Sequence, residues 1–148
     1  MIETTLSEQA ERLSRRRARM FPLFAIFYLG QQTSFFSSPI GERAVDHFKI
    51  GAWVVLSIVL MALLLSGGFW SRKRELRDLL NDETSRAHRA DALGTGFVVA
   101  MATGIILYVV GTMSPVTARE AIHLIVSFGI GAALVRFGFL ERRAMRSV

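Results

Sequence analysis

Residues 50–70, IGAWVVLSIVLMALLLSGGFW, and residues 93–113, LGTGFVVAMATGIILYVVGTM, each run for 21 positions without a charged side chain. A helix rises 1.5 Å per residue, so about 20 apolar residues cross the roughly 30 Å hydrocarbon core of a bilayer. Residues 20–38 and 121–140 form two further apolar stretches of similar length. The sequence therefore predicts an all-α polytopic membrane protein with four transmembrane helices, in a single domain that covers residues 1–148.

The basic residues lie mainly on one side of these spans. They precede the first span, fill the connection between the second and third, and follow the fourth: Arg12, Arg15, Arg16, Arg17, Arg19, Arg72, Lys73, Arg74, Arg77, Arg86, Arg89, Arg142, Arg143 and Arg146. The connections 39–49 and 114–120 balance basic against acidic residues. Because arginine-rich and lysine-rich loops stay in the cytosol, we expect both termini there. The net charge of +6 would then face the anionic lipids of the cytosolic leaflet.

The N-terminal segment and the first span carry their own signals. Residues 1–19 have the helical spacing and arginines of an amphipathic helix on the membrane surface. No small-residue cleavage site follows the first apolar run, so we expect this span to be retained and not removed as a signal peptide. Gln31, Gln32, Thr33 and Ser34 lie within it. They serve either as hydrogen-bonding groups between helices or as the lining of a polar path, and the sequence does not separate the two.

Residues 71–92 are predicted to form a cytosolic helical hairpin between the second and third spans. Oppositely charged residues spaced four apart support solvated helices on both sides of Asn81-Asp82. Asn81 is able to end one helix and Asp82 to cap the next. We therefore expect a helix that starts at Asp82 and runs into the third span.

The same stretch carries a family resemblance. An Asn-Asp-Glu tip, then Arg-x-x-Arg leading into a glycine-containing apolar span, resembles small bacterial inner-membrane proteins often encoded beside a short helix-turn-helix regulator. The resemblance covers roughly the second half of the chain. It implies a multi-pass protein of the bacterial inner membrane that holds a DNA-binding regulator through the hairpin. Its matching positions, and so the predicted partner-binding residues, are Asp82, Glu83, Arg86 and Arg89.

Small residues recur at helix-packing intervals in the last two spans. Ala100 and Gly104 are four apart, as are Gly129 and Ala133. Such pairs let helix backbones approach closely, either within one chain or across a homodimer. In the connection before the fourth span, Thr117 and Glu120 have the spacing of a capping box.

Three ionisable residues within or beside the spans suggest further interactions. Arg136 is close enough to the end of the fourth span to reach lipid headgroups or to pair with Glu141. His47 and His123 lie at similar depth near the starts of the second and fourth spans, where two imidazoles are able to hold a b-type haem. A haem protein is a minor alternative, and we expect no cofactor.

Several classes of function find no support in the sequence. Cysteine is absent, which excludes disulfides, thiolate metal ligation and cysteine nucleophiles. No phosphate-binding loop or nucleophile motif occurs, and the arginines are too dispersed for direct nucleic-acid binding. We expect a non-enzymatic regulatory or anchoring protein that sequesters a cytosolic partner. The alternative is an accessory subunit of a larger transport or electron-transfer complex, with lateral contacts through the third and fourth spans.

Overall fold

The computed structural model describes residues 2–36, 44–66 and 83–144, and all regular structure in these ranges is helical. The helices are α1 (Ile2–Phe36), α2 (Ala44–Ser66), α3 (Glu83–Gly111) and α4 (Ala118–Ala144). Segment His47–Ser66 of α2 and the whole of α3 and α4 are long and apolar enough to cross a membrane. The fold is therefore an all-α bundle with the composition of a membrane protein.

Helix α1 differs from the other three in composition. Over its described residues, α1 is not among the helices that are long and apolar enough to cross a membrane. The polar run from Gln31 to Ser34 lowers the mean hydropathy of its apolar half. The separate N-terminal helix predicted over residues 1–19 is also not a separate element, because α1 continues through Pro22. Its buried residues Ala18, Phe21, Ala25 and Tyr28 keep one heptad phase on both sides of that proline.

Helices α3 and α4 form an antiparallel hairpin with well-defined ends. The amides of Thr112, Met113 and Ser114 bind carbonyls in the last turn of α3. The predicted capping box is confirmed: the Thr117 amide donates to Glu120 Oε2 at 2.9 Å, and the Glu120 amide donates to Thr117 Oγ1 at 3.3 Å. These bonds satisfy amides that a helix start would otherwise leave without partners.

The closest approach of α3 and α4 is built on small residues. A methyl group added at Gly96 would lie 2.7 Å from the carbonyl oxygen of Gly129 and 2.8 Å from Cβ of Ala133. One added at Gly129 would lie 3.0 Å from Cβ of Ala100. Ala100, Gly129 and Ala133 thus meet within one chain, and Gly96 is the fourth member of the contact. Gly104 lies farther along, where an added methyl would make ordinary contact with Ile125 at 3.6 Å.

Helix α1 packs antiparallel on another side of α4. The Phe21 and Phe137 rings meet edge to face with centroids 4.8 Å apart. A methyl added at Gly138 would lie 2.6 Å from the ring of Pro22. One added at Gly131 would lie 2.9 Å from a methyl group of Leu29. The two glycines are seven residues apart, and their lack of side chains allows α1 to pack closely on this face of α4.

Helix α2 completes the core from a third direction. Ser57, Leu60 and Leu64 are its buried residues, and Leu60 and Leu64 join the core cluster with residues from α1, α3 and α4. Most of its remaining apolar side chains are exposed, including Val55 at 61% and Leu65 at 60%. An exposed apolar surface of this extent is typical of a helix that meets lipid.

Substitution at neighbouring glycines of α3 tests the contact with α4. We expect Gly96→Ala to destabilise the bundle by about 1–3 kcal/mol, because the new methyl would overlap the backbone of α4. Gly94→Ala is the matched control: nothing lies within 4 Å of its added methyl. Alanine there should be neutral or stabilising by up to about 1 kcal/mol through helix propensity. Thermal unfolding in detergent measures both, and equal melting temperatures would contradict the packing described above.

Candidate functional site

Exposed arginines from three helices lie at one end of the bundle, which we call the basic end. The Arg142 side chain donates from Nε to the carbonyl oxygen of Ala18 at 3.0 Å, which brings the end of α4 beside α1. Ser85 Oγ donates to Glu141 Oε1 at 3.3 Å, which brings the start of α3 to the same place. The exposed arginines there are Arg12, Arg15, Arg16, Arg19, Arg86, Arg142 and Arg143. Their convergence gives this end a strongly positive surface.

The predicted partner-binding residues divide into different environments. Asp82 and the preceding part of the predicted hairpin lie outside the described residues. Glu83 and Arg86 are exposed in the first turns of α3. Arg89 instead turns towards the bundle: its Nη1 donates to the carbonyl oxygen of Leu65 at 3.0 Å, and its Nε donates to that of Ser85 at 3.3 Å. Arg89 therefore joins α3 to the last turn of α2.

The Arg89 contact has a clear physical reason. The last carbonyls of a helix have no intrahelical partner, and they carry the negative end of the helix dipole. Leu65 lies one residue before the end of α2, so its carbonyl needs an external donor. A guanidinium provides several N–H groups and a positive charge at once. No sequence spacing predicts this contact, because its acceptor is a backbone atom of another helix.

A buried polar cluster holds the start of α3 from the inside. Ser85 and Glu141 are 9% and 6% exposed, and the side chain of His88 is 19% exposed. His88 Nδ1 lies 3.6 Å from Glu141 Oε1, beyond hydrogen-bonding distance. Sequence reasoning missed this cluster and considered Glu141 only as one of two alternative contacts of Arg136. Its effect is to fix α3 on α4 directly behind the exposed Glu83 and Arg86.

Arg136 pairs with a residue that the sequence did not suggest. Its Nε and Nη2 lie 2.9 and 2.8 Å from Oδ2 of Asp91 in α3. Of the two contacts considered for Arg136, pairing with Glu141 is not found, because positions five apart on a helix do not lie side by side. Asp91, on the neighbouring helix, brings its carboxylate directly to the guanidinium. The ion pair therefore links α3 to α4 about one helical turn closer to the middle of the bundle than the polar cluster.

A second polar network lies at the opposite end of the bundle and joins α1, α2 and α4. Tyr28 is fully buried, and its hydroxyl lies 2.6 Å from Ser57 Oγ. The Trp53 indole donates to Ser127 Oγ at 3.2 Å, and its ring stacks on His123 with centroids 4.3 Å apart. Each bond pairs groups that would be costly to leave unsatisfied in an apolar interior.

The polar run of α1 enters this network through Gln32. Its Oε1 bonds to His123 Nε2, and its Nε2 donates to the carbonyl oxygen of Tyr28 at 3.1 Å. Gln32 is therefore a hydrogen-bonding group between helices, one of the two roles left open by the sequence. The neighbouring Gln31 is exposed and lines a pocket. The side chains of Thr33 and Ser34 lie outside the described residues.

The two histidines considered as haem ligands have different surroundings. His123 is buried and engaged with Gln32 and Trp53, whereas His47 is exposed on α2. Haem ligation would have to displace Gln32 from His123 Nε2. Within residues 2–36, 44–66 and 83–144, no group of three or more histidine, aspartate or glutamate side chains is placed to hold a metal ion. Haem binding stays a minor alternative that rests on the sequence alone.

Arg86 and Arg89 lie one turn apart in α3, but only Arg89 contacts α2. Replacing each in turn tests whether that contact stabilises the fold. We expect Arg89→Met to destabilise the bundle by about 1 kcal/mol, because the Leu65 carbonyl loses its donor. Arg86→Met removes the same charge from an exposed position and should leave the melting temperature nearly unchanged. Thermal unfolding in detergent compares the two variants. Equal effects would show that the contact of Arg89 with α2 does not stabilise the fold.

Comparison of the chain with protein-family models, with curated proteins and with solved structures finds no match. Two places in the described bundle combine exposed polar side chains with a rigid supporting structure. One is the start of α3 at the basic end. The other is the pocket beside Gln31 at the opposite end.

Proposed function

We propose that this chain is a regulatory or anchoring protein of the bacterial inner membrane that holds a soluble cytosolic partner at the start of α3. It acts by binding and without catalysis. The observation that carries the proposal is that the first turns of α3 are bound to the bundle on one side and exposed on the other. Ser85 and Arg89 fix this segment from the inside, while Glu83 and Arg86 are exposed on the outside. A rigid exposed helix end is suited to binding because little conformational entropy is lost on association.

The proposed topology has four spans, with α1 as the first, and both termini in the cytosol. Support for the fourth span comes from the pairing of α1 with α4, from Ala18 beside Arg142 to Gln32 beside His123. The α1 segment between these contacts covers about 21 Å at 1.5 Å per residue. Its side away from the core is apolar, with Leu23, Ile26 and Phe27 all more than 60% exposed. A helix that lies along a membrane span and has an apolar outer face is best accommodated in lipid.

Charge supports the orientation. Among the exposed arginines of the described residues, seven lie at the basic end and Arg119 alone lies at the opposite end. Positively charged segments are retained on the cytosolic side. The start of α3 would then face the cytosol, surrounded by arginines that attract anionic lipid headgroups. Glu83 and Arg86 are exposed within this charged surface and would be accessible to a cytosolic partner.

The partner class that we propose is a small helix-turn-helix regulator, as the resemblance of the second half of the chain implies. The mechanism is sequestration, in which membrane binding lowers the free concentration of the regulator. A stimulus that changes the affinity tenfold alters the binding free energy by about 1.4 kcal/mol. Such a change is within reach of one or two hydrogen bonds at the exposed helix end.

The alternative of an accessory subunit has less support. It relied on lateral contacts through the small-residue faces of the third and fourth spans. Ala100, Gly129 and Ala133 are instead used in the contact between α3 and α4 of the same chain. A Gly129→Leu variant would therefore damage the bundle itself, and it would not be a clean test of lateral assembly.

The proposal predicts that charge at the start of α3 controls partner retention. Tagged protein would be purified from its native membrane in a mild detergent, and stoichiometric co-purifying proteins would be identified by mass spectrometry. We expect a small soluble DNA-binding protein whose retention falls about tenfold or more in the double variant Glu83→Ala/Arg86→Ala, because close charge pairs that become buried in an interface contribute on this scale. Arg89 is left intact so that the fold is preserved.

Arg119→Ala is the matched control, because it removes an exposed arginine at the opposite end of the bundle. It should leave retention unchanged. Undiminished retention in a correctly folded double variant would remove the start of α3 from the proposal. Recovery of membrane subunits of one complex, in place of a soluble protein, would favour the accessory-subunit alternative.

A further inference from the structure

The pocket at the opposite end of the bundle is formed where α1, α2 and α4 meet. Its volume is about 310 Å³, within the range of about 300–1,000 Å³ that is usual for small-molecule sites. The residues lining it are Gln31, Gln32, Phe48, Lys49, Ala52, Trp53 and His123. It lies at the end of the bundle opposite to the start of α3, so a ligand could bind here whether or not the proposed partner is bound at α3.

The sequence of α2 explains why this pocket has both a polar and an apolar side. Phe48, Lys49, Ala52 and Trp53 are spaced one, four and five positions apart, so they share one side of the helix. The small side chain of Ala52 leaves a gap between the two aromatic residues. Phe48 is 77% exposed, which leaves most of its ring free to cover a bound molecule. The result is a space with an aromatic wall and a charged rim.

The back wall of the pocket is held in place before any ligand arrives. Gln32 is fixed by its bonds to His123 and to the Tyr28 carbonyl. Trp53 is fixed by stacking on His123 and by its bond to Ser127. A site whose walls are already ordered loses little conformational entropy on binding. This network therefore provides a reason for a preformed cavity at this place.

The polar groups at the rim define the chemistry of a ligand. Lys49 offers an ammonium group with donors and no acceptor, and Gln31 offers an amide that donates as well as accepts. Both residues are exposed. None of the described residues that line the pocket is acidic. The rim therefore favours an anion, and the aromatic wall favours a flat apolar body attached to it.

We propose that this pocket binds a small organic anion with an aromatic body, such as an aromatic carboxylate. The carboxylate lies against Lys49 and Gln31, and the ring lies against Phe48 and Trp53. Lys49 is in the second turn of α2, so the charged end of the ligand is at the water-facing end of the bundle. The proposed ligand site therefore lies at the end of the bundle opposite to the basic end.

Tryptophan fluorescence tests this assignment directly. The chain has two tryptophans, and Trp70→Phe leaves Trp53 as the one reporter. The full-length variant in nanodiscs of zwitterionic lipid would be titrated with 1-naphthoate. We expect saturable quenching, with Kd raised about tenfold by Lys49→Met, since loss of a charge-assisted hydrogen bond costs at least about 1.4 kcal/mol. The uncharged analogue 1-naphthamide should bind more weakly by a similar factor.

Arg119→Met, in the same Trp70→Phe background, is the control for general surface charge. It removes a positive side chain near this end of the bundle that does not line the pocket, and it should leave the Kd unchanged. Thermal unfolding confirms that each variant is folded. Linear quenching without saturation would overturn the proposal, because it indicates partition into lipid. An unchanged Kd in Lys49→Met would also overturn it. Loss of naphthoate binding in nanodiscs of anionic lipid would assign the pocket to a lipid headgroup and overturn the small-molecule assignment.

Discussion

Close approach to α4 is the constraint on which the rest of the bundle depends. Gly129 and Ala133 on one face of α4 admit α3 through Gly96, and Gly131 and Gly138 on another face admit α1. Lipid is as apolar as the side chains of these helices, so burial of apolar surface drives their association only weakly. Van der Waals contact at short range and interhelical hydrogen bonds supply the stability instead. Small residues on both faces of α4 allow both kinds of interaction.

The two polar networks depend on this close packing. At the basic end, Ser85 reaches Glu141 because α3 lies tightly on α4; at the opposite end, Gln32 reaches His123 because α1 does. Interhelical hydrogen bonds in membrane proteins contribute about 0.6–2 kcal/mol each. Their larger effect is on specificity, since a rotated or shifted helix would leave buried polar groups without partners.

Composition was sufficient to predict the helices, because long uncharged runs have few alternatives. The capping box of α4 was equally predictable, because all its atoms belong to four consecutive residues. Contacts between helices were only partly predictable. Spacing by four identified Gly129 and Ala133, but Gly131 and Gly138 are seven apart and face the larger Leu29 and Pro22. Where a glycine packs against a large side chain of another helix, the two helices do not carry matching small residues that a sequence pattern could reveal.

The candidate sites show the same limit. Arg89 was grouped with Arg86 because both belong to one motif, yet Arg89 binds a backbone carbonyl of α2, which no side-chain pattern reveals. Arg136 was expected to reach lipid headgroups or an acid on its own helix, while its partner Asp91 lies 45 positions away. The pocket beside Lys49 combines residues from three helices. Only the packing of the bundle brings these groups together.

The pairing of α1 with α4 has a consequence for biosynthesis. In the proposed topology α1 precedes α4 in the chain, and so it leaves the ribosome earlier. The polar group of Gln32 meets His123 only after α4 has been made. The polar contacts of α1 are therefore completed late, when α4 becomes available to pair with it. An earlier element of the bundle thus depends on a later one for its hydrogen-bond partner.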